Sequence, residues 1–125
     1  MALIPTFFFS SLITLAIAHG IATAFFLYWK YIWLDVPMHL LGGITVVLGI
    51  ASLPSFHITL LKRHETLVTS IVAVLIVGIL WELFEVATGV PFTRESYVFD
   101  TSLDLLMDVF GGAVGYGIVK GIHES

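Results

Sequence analysis

Mainly apolar, uncharged residues fill three long tracts of the chain, and a fourth tract is apolar except for an acid at every fourth position near its start. A helix needs about 20 such residues to cross the hydrocarbon layer of a bilayer. Helices also satisfy their own backbone hydrogen bonds where no water can. The pattern predicts spans at residues 3–28, 36–53, 67–87 and 100–122. Pro5 is tolerated in the opening turn of the first, which ends in an aromatic cluster, Tyr28, Trp29, Tyr31 and Trp33, suited to a membrane interface. Asp35 is placed to cap the second span, with Pro37 in its first turn and Pro54 at its end. A polar link, 55–65, contains His57, Lys62, Arg63 and His64; Gly89 and Pro91 end the third span, and a loop with Arg94 and Glu95 leads into the fourth.

The fold class expected is therefore all-α, a polytopic membrane protein in which residues 1–125 form one bundle of about four transmembrane helices. Composition supports this: 58% of residues are hydrophobic, 11% are charged, and mean hydropathy is +1.05. That is more apolar surface than a soluble domain of this length can hide. Ala16-Ile17-Ala18 has the small-x-small form of a signal cleavage site, but no basic segment precedes it and apolar sequence continues to Trp29, so an anchored helix is expected. No basic run follows a phosphate backbone, so no nucleic-acid partner is expected. The absence of cysteine excludes disulfides, thiolate metal sites and cysteine nucleophiles. Lys62, Arg63 and Lys120 fall on one side of the membrane against Lys30 and Arg94 on the other, which favours cytoplasmic termini.

The charge of −4 matters less than where the acids lie. Asp35 and His39 open the second span, Glu82 and Glu85 fall in the last turns of the third, and Asp100, Asp104 and Asp108 fall in the first turns of the fourth. These ends face the same side. At about 1.5 Å rise per residue, Asp108 lies about 12 Å below Asp100 and His39 about 6 Å below Asp35, within the hydrocarbon zone. His19 reaches a similar depth on the first span. Spacings of three and four residues put each set on a single helix face. Gly78 extends the third helix's acidic face, and Gly111 and Gly115 extend the fourth's, as small residues that permit close helix contact.

Buried carboxylates must be neutralised, and the neighbouring loops offer only Lys30 and Arg94 against six acids. Bound cations or protons must do the rest. The expected metal ligands are Asp35, His39, Glu82, Glu85, Asp100, Asp104 and Asp108, with His19 and Arg94 as secondary candidates. A carboxylate-rich set of this kind suits Mg²⁺ or Mn²⁺ ahead of Zn²⁺ or Fe²⁺.

The stretches Asp35-Val36-Pro37-Met38-His39-Leu40-Leu41-Gly42-Gly43, Trp81-Glu82-Leu83-Phe84-Glu85 and Asp100 to Asp108 followed by Gly111-Gly112 resemble the YjdF-like and VanZ-like groups of small bacterial membrane proteins. The resemblance covers the last three spans. It implies a bacterial or archaeal cell membrane and, through the link of VanZ-like proteins to glycopeptide resistance, the cell envelope. It supplies no reaction. Three readings stay open: a metal-dependent hydrolase or transferase acting on a lipid phosphate, a cation or proton transporter or channel using the same acids, and a non-catalytic structural or lipid-sensing protein. Membrane lipid is the expected partner in each, with a homo-oligomer as a further expectation.

Overall fold

The computed structural model describes residues 3–58, 66–89 and 97–125, and among these every regular element is helical. Helix α1 (Leu3–Ala24) is followed by a single turn, α2 (Leu27–Lys30), a 3₁₀ turn (Ile32–Leu34) and α3 (Asp35–Ser52). A second 3₁₀ turn (Leu53–Phe56), α4 (Leu67–Thr88) and α5 (Tyr97–Glu124) complete the order. Among the described residues, four segments are long and apolar enough to cross a membrane: Leu3–Ala24, Ile32–Phe56, Leu67–Thr88 and Tyr97–Glu124. Their outward side chains, among them Ile13, Ile17, Ile76, Ile79, Leu106 and Phe110, are exposed. Only hydrocarbon can cover such a surface, so the chain is an integral membrane protein.

The element ends differ from the expected bounds for local reasons. Helix α1 stops at Ala24 because Phe26 takes a left-handed conformation (φ 54°), so the stretch expected to continue to Tyr28 bends into α2. Asp35 does not cap α3: the 3₁₀ turn before it runs on with helical backbone at Leu34, and no side chain caps that end. Helix α5 begins at Tyr97, three residues before the expected start of the span at 100, and Asp100 lies in its first turn. Helix α4 starts from a reciprocal cap, in which the Thr66 hydroxyl accepts from the Thr69 N–H at 3.2 Å and the Thr69 hydroxyl accepts from the Thr66 N–H at 3.0 Å. It ends at Gly89, whose φ of 70° lets its N–H reach the Glu85 carbonyl at 2.9 Å.

Helices α3 and α5 form the centre of the bundle, with backbone pressed on backbone. A side chain at Gly111 would run into the Leu40 carbonyl, and one at Gly43 into the Asp108 carbonyl. Gly115 packs on Ile44 and Val47, and Gly112 lies beneath Val74 of α4. The largest apolar core, Ile4, Val47, Leu48, Val74 and Val119, lies toward the end of the bundle away from the acids. Helix α1 leans chiefly on α3, where the Ser11 and Thr45 hydroxyls meet at 2.9 Å, and it hardly touches α4.

A buried histidine ringed by carboxylates

The close α3–α5 crossing brings the acidic faces of three helices onto one imidazole. His39, Glu82, Asp104 and Asp108 are buried, while Asp35, Glu85 and Asp100 are partly buried. Asp108 Oδ1 lies 3.1 Å from His39 Nδ1. With Asp108 ionised the carboxylate can only accept, so Nδ1 would carry the proton, and in a neutral ring the lone pair would fall on Nε2. Facing Nε2 are Asp35 Oδ1 at 3.7 Å, Asp104 Oδ2 at 3.8 Å and Glu82 Oε1 at 3.9 Å. These separations are too long for hydrogen bonds. They match the spacing of atoms around a shared ion, since bonds of about 2.0–2.2 Å place neighbouring ligands about 3–4 Å apart.

Two carboxylate oxygens emphasise the point. Glu82 Oε1 and Asp108 Oδ2 are buried and have no hydrogen-bond partner among the described residues. Leaving such atoms dry and unpaired is costly. The second oxygen of Glu82 is held: Thr101 donates its hydroxyl to Oε2 at 2.8 Å, which fixes Oε1 toward His39. Gly78 leaves the room that Asp108 occupies, since a Cβ there would lie 3.4 Å from its Cγ and 3.0 Å from a Leu105 methyl. Among the described residues, three sets of ligand atoms fall within 4.8 Å of one another: His39, Glu82 and Asp104; Asp35, His39 and Glu85; and Asp35, Asp100 and Asp104. Asp104 and Asp35 each belong to two sets, so one carboxylate could bridge adjacent positions.

His19 takes no part in these sets. Its Nδ1 meets the buried Tyr28 hydroxyl at 2.8 Å, and its ring stands edge-on to Trp81 with centroids 5.2 Å apart. Burial pushes the Tyr28 phenol above its usual range, and the negative Asp35 and Glu85 nearby push it further. The phenol therefore stays protonated. Trp81 donates its indole N–H to Glu85 Oε1 at 3.0 Å. Arg94 lies outside the described residues. Lys30 stacks over the Tyr31 ring at 5.4 Å and makes no ion pair with the acids among the described residues.

The sequence pattern predicts the acids and His39 as ligands and assigns no role at the site to Thr101, Trp81 or Tyr28. Thr101 had a readable signal, because it precedes Asp104 by three residues and so shares its face. Trp81 likewise precedes Glu85 by four. Tyr28 had none, since its inward turn depends on the bend at Phe26. Beside the cluster a cavity of about 500 Å³ runs between α1, α3 and α4.

No curated protein and no solved structure matches the chain. A family described as predicted membrane protein (DUF2238) matches residues 3–125, nearly the whole sequence, and that extent places this chain in the DUF2238 family.

Proposed function

We propose that the His39 centre binds a divalent cation and serves a hydrolase or transferase acting on a lipid phosphate of the cell envelope. One observation carries the metal reading: Nε2 of a histidine locked by Asp108 faces three carboxylate oxygens at 3.7–3.9 Å, none of them hydrogen-bonded to it. His39, Glu82 and Asp104 would hold the ion, with Asp35 completing the ring. Asp108 fixes the imidazole as an acceptor, and Thr101 aims Glu82, the supporting roles that metal centres use to orient their ligands. Mg²⁺ or Mn²⁺ suits the oxygen-rich set best, with Zn²⁺ or Fe²⁺ favoured only by the single imidazole. A bound ion supplies Lewis-acid polarisation of a phosphoryl oxygen. Glu85, held by Trp81 at the wall of the cavity, is placed to take a proton from an attacking water.

The likeness to YjdF-like and VanZ-like proteins and the cytoplasmic placement of the termini belong to the same proposal, and together they put the site near the outer face of the membrane. A cation or proton pathway through one chain is the weaker reading. The bundle beyond the cluster closes on the apolar core of Val47, Leu48, Val74 and Val119; the buried groups beside it are the hydroxyls of Thr45, Ser52 and Ser70, none of them ionisable, and those of Thr45 and Ser52 are held by carbonyls of their own helix.

Metal analysis of purified protein passed into metal-free buffer tests the proposal. Wild type should retain at least one Mn²⁺ or Zn²⁺ per chain after loading, and His39→Ala should retain none; wild type that holds no ion sinks it. A finer expectation concerns Thr101→Val, which keeps the shape and removes the donor to Glu82. Titration followed by Mn²⁺ paramagnetic resonance should show affinity about 10- to 100-fold weaker than wild type, the usual cost of losing a supporting contact.

A further inference from the structure

The cleft between α1 and α4 has two unlike ends. Asp35, Glu85 and Asp108 line one, beside Tyr28 and Trp81, and among the described residues no lysine or arginine lines it. Leu12, Ala16, Val46, Val74 and Val77 line the other. The polar end is thus a set of acceptors. Two ring nitrogens beside them are already engaged: Trp81 gives its indole N–H to Glu85 Oε1 at 3.0 Å, and His39 Nδ1 meets Asp108 Oδ1 at 3.1 Å. The second oxygen of Asp108 is left over. Asp108 is 6% exposed, and its Oδ2 lies against the bare backbone of Gly78, buried and with no hydrogen-bond partner among the described residues. An orphan acceptor of this kind calls for a donor.

Charge sets the sign of whatever supplies that donor. In the metal reading the ion sits among His39, Glu82, Asp104 and Asp35, which leaves Glu85 and Asp108 outside the ring without a counter-charge. In ion-free protein this end is more negative still. Either way it attracts a cation, and the rings of Tyr28 and Trp81 beside it add to that attraction. Size sets the form of the cation. Oδ2 exposes almost no surface, so only a compact head that carries its own hydrogens can reach it. A primary ammonium has three N–H donors on one small nitrogen, and a quaternary ammonium has none. The rest of the occupant is apolar, because the cleft continues into Val46 and Val74 and is open to lipid along Leu12, Ala16 and Val77. An open wall imposes no shape on that part, so selection lies in the head.

We infer that the polar end of the α1–α4 cleft binds the primary ammonium of an apolar amine taken from the membrane, with Asp108 Oδ2 and Glu85 as its anchors. The ion at His39 is not needed for this, and its presence does not exclude it. The amine is a second class of ligand beside the proposed reaction. Seated there, its head displaces the water that the hydrolase reading puts beside Glu85, so it competes with that reaction rather than feeding it.

Photolabelling of the full chain in an uncharged detergent tests this. The probes share one alkyl length with a diazirine in the chain and differ in the head, which is a primary ammonium, a trimethylammonium, an alcohol or a phosphate; peptide mass spectrometry maps the labels. The inference expects the primary ammonium probe to label Leu12, Ala16 or Val77 saturably, at concentrations at least about 10-fold below the others, the scale of one charge-assisted hydrogen bond. Glu85→Gln keeps an oxygen to accept from Trp81 and removes the charge. It should weaken this labelling about 10-fold or more while its Mn²⁺ content equals that of wild type, and Asp108→Asn should weaken the labelling as well. Label spread over lipid-facing residues such as Ile13 and Ile79, alike for all heads, overturns the inference. Trimethylammonium labelling as strong as that of the primary ammonium overturns the donor contact with Asp108. Labelling unchanged in both variants overturns the anchors. Release of Mn²⁺ by the ammonium probe puts the head inside the His39 ring and overturns the separate position. Wild type that holds no Mn²⁺ yet keeps the preference for the primary ammonium overturns the metal reading alone and leaves this inference standing.

Discussion

Asp104→Asn is expected to abolish metal retention and to change the stability of the protein in opposite directions with and without the ion. Asp104 is 2% exposed, its Oδ2 faces His39 Nε2, and it belongs to two of the three ligand sets. The amide keeps its volume and removes one negative charge. In ion-free protein, crowded carboxylates in low dielectric oppose one another, so the variant should unfold later than wild type, by about 1 kcal/mol on the scale of a pKa unit. With the ion the order reverses. Wild type gains about 2.7 kcal/mol at a cation concentration 100 times its dissociation constant, and a variant that does not bind gains nothing. Thermal unfolding in detergent, followed by circular dichroism with and without Mn²⁺, reads both signs. Asp108→Asn should be milder, weakening affinity about 10- to 100-fold, because Asp108 acts through His39. Identical responses of wild type and Asp104→Asn to Mn²⁺ would remove Asp104 from the ligand set.

The second large effect is structural. Gly111→Leu is expected to prevent α3 and α5 from closing, at a cost above about 3 kcal/mol, the range reserved for severe overpacking. The obstruction is main chain, since a Cβ at residue 111 would meet the Leu40 carbonyl and lie 2.9 Å from its carbon. A flexible side chain can step aside; a helical carbonyl moves only with its helix. Separation of the two helices would also pull Asp108 from His39, so metal retention should fall together with stability. Gly117→Ala and Gly121→Ala are the internal controls. Neither Cβ would meet anything within 4 Å, so these changes should be neutral or stabilise by about 0.5–1 kcal/mol. Unfolding by titration with sodium dodecyl sulfate provides the comparison, and a Gly111→Leu protein as resistant as wild type would contradict the α3–α5 crossing.

The helices were legible in the sequence because hydropathy over about 20 residues is a strong signal. The acidic faces were legible too, since three- and four-residue spacings fix angular position on a helix without knowledge of its neighbours. What escaped was set by relations between helices or by single backbone angles. The bend at Phe26 lies in the apolar run Ala24-Phe25-Phe26-Leu27, with neither glycine nor proline to announce it, so two elements read as one. For His19 the sequence gives a depth alone, and depth says nothing of which way α1 faces, so its contacts with Trp81 and Tyr28 are not legible; Tyr28 reaches it only after the bend. Asp35 carried the composition of a cap, yet the 3₁₀ turn before it left no non-helical residue to act as one. The cleft had no signature at all, being the space left where α1 fails to meet α4.

The division of the bundle has a bearing on how such a protein can change. Among the described residues, α3, α4 and α5 supply the carboxylates around His39, and glycines bring these helices into close contact at their crossings. Helix α1 supplies none of the ring and forms one wall of the cleft. Leu12, Ala16 and Gly20 of α1 line the cleft without joining the ring, so substitutions there would reshape the cleft and leave the His39 cluster in place. On the proposed function, what the cleft accommodates and what the His39 centre does would be set on separate helices.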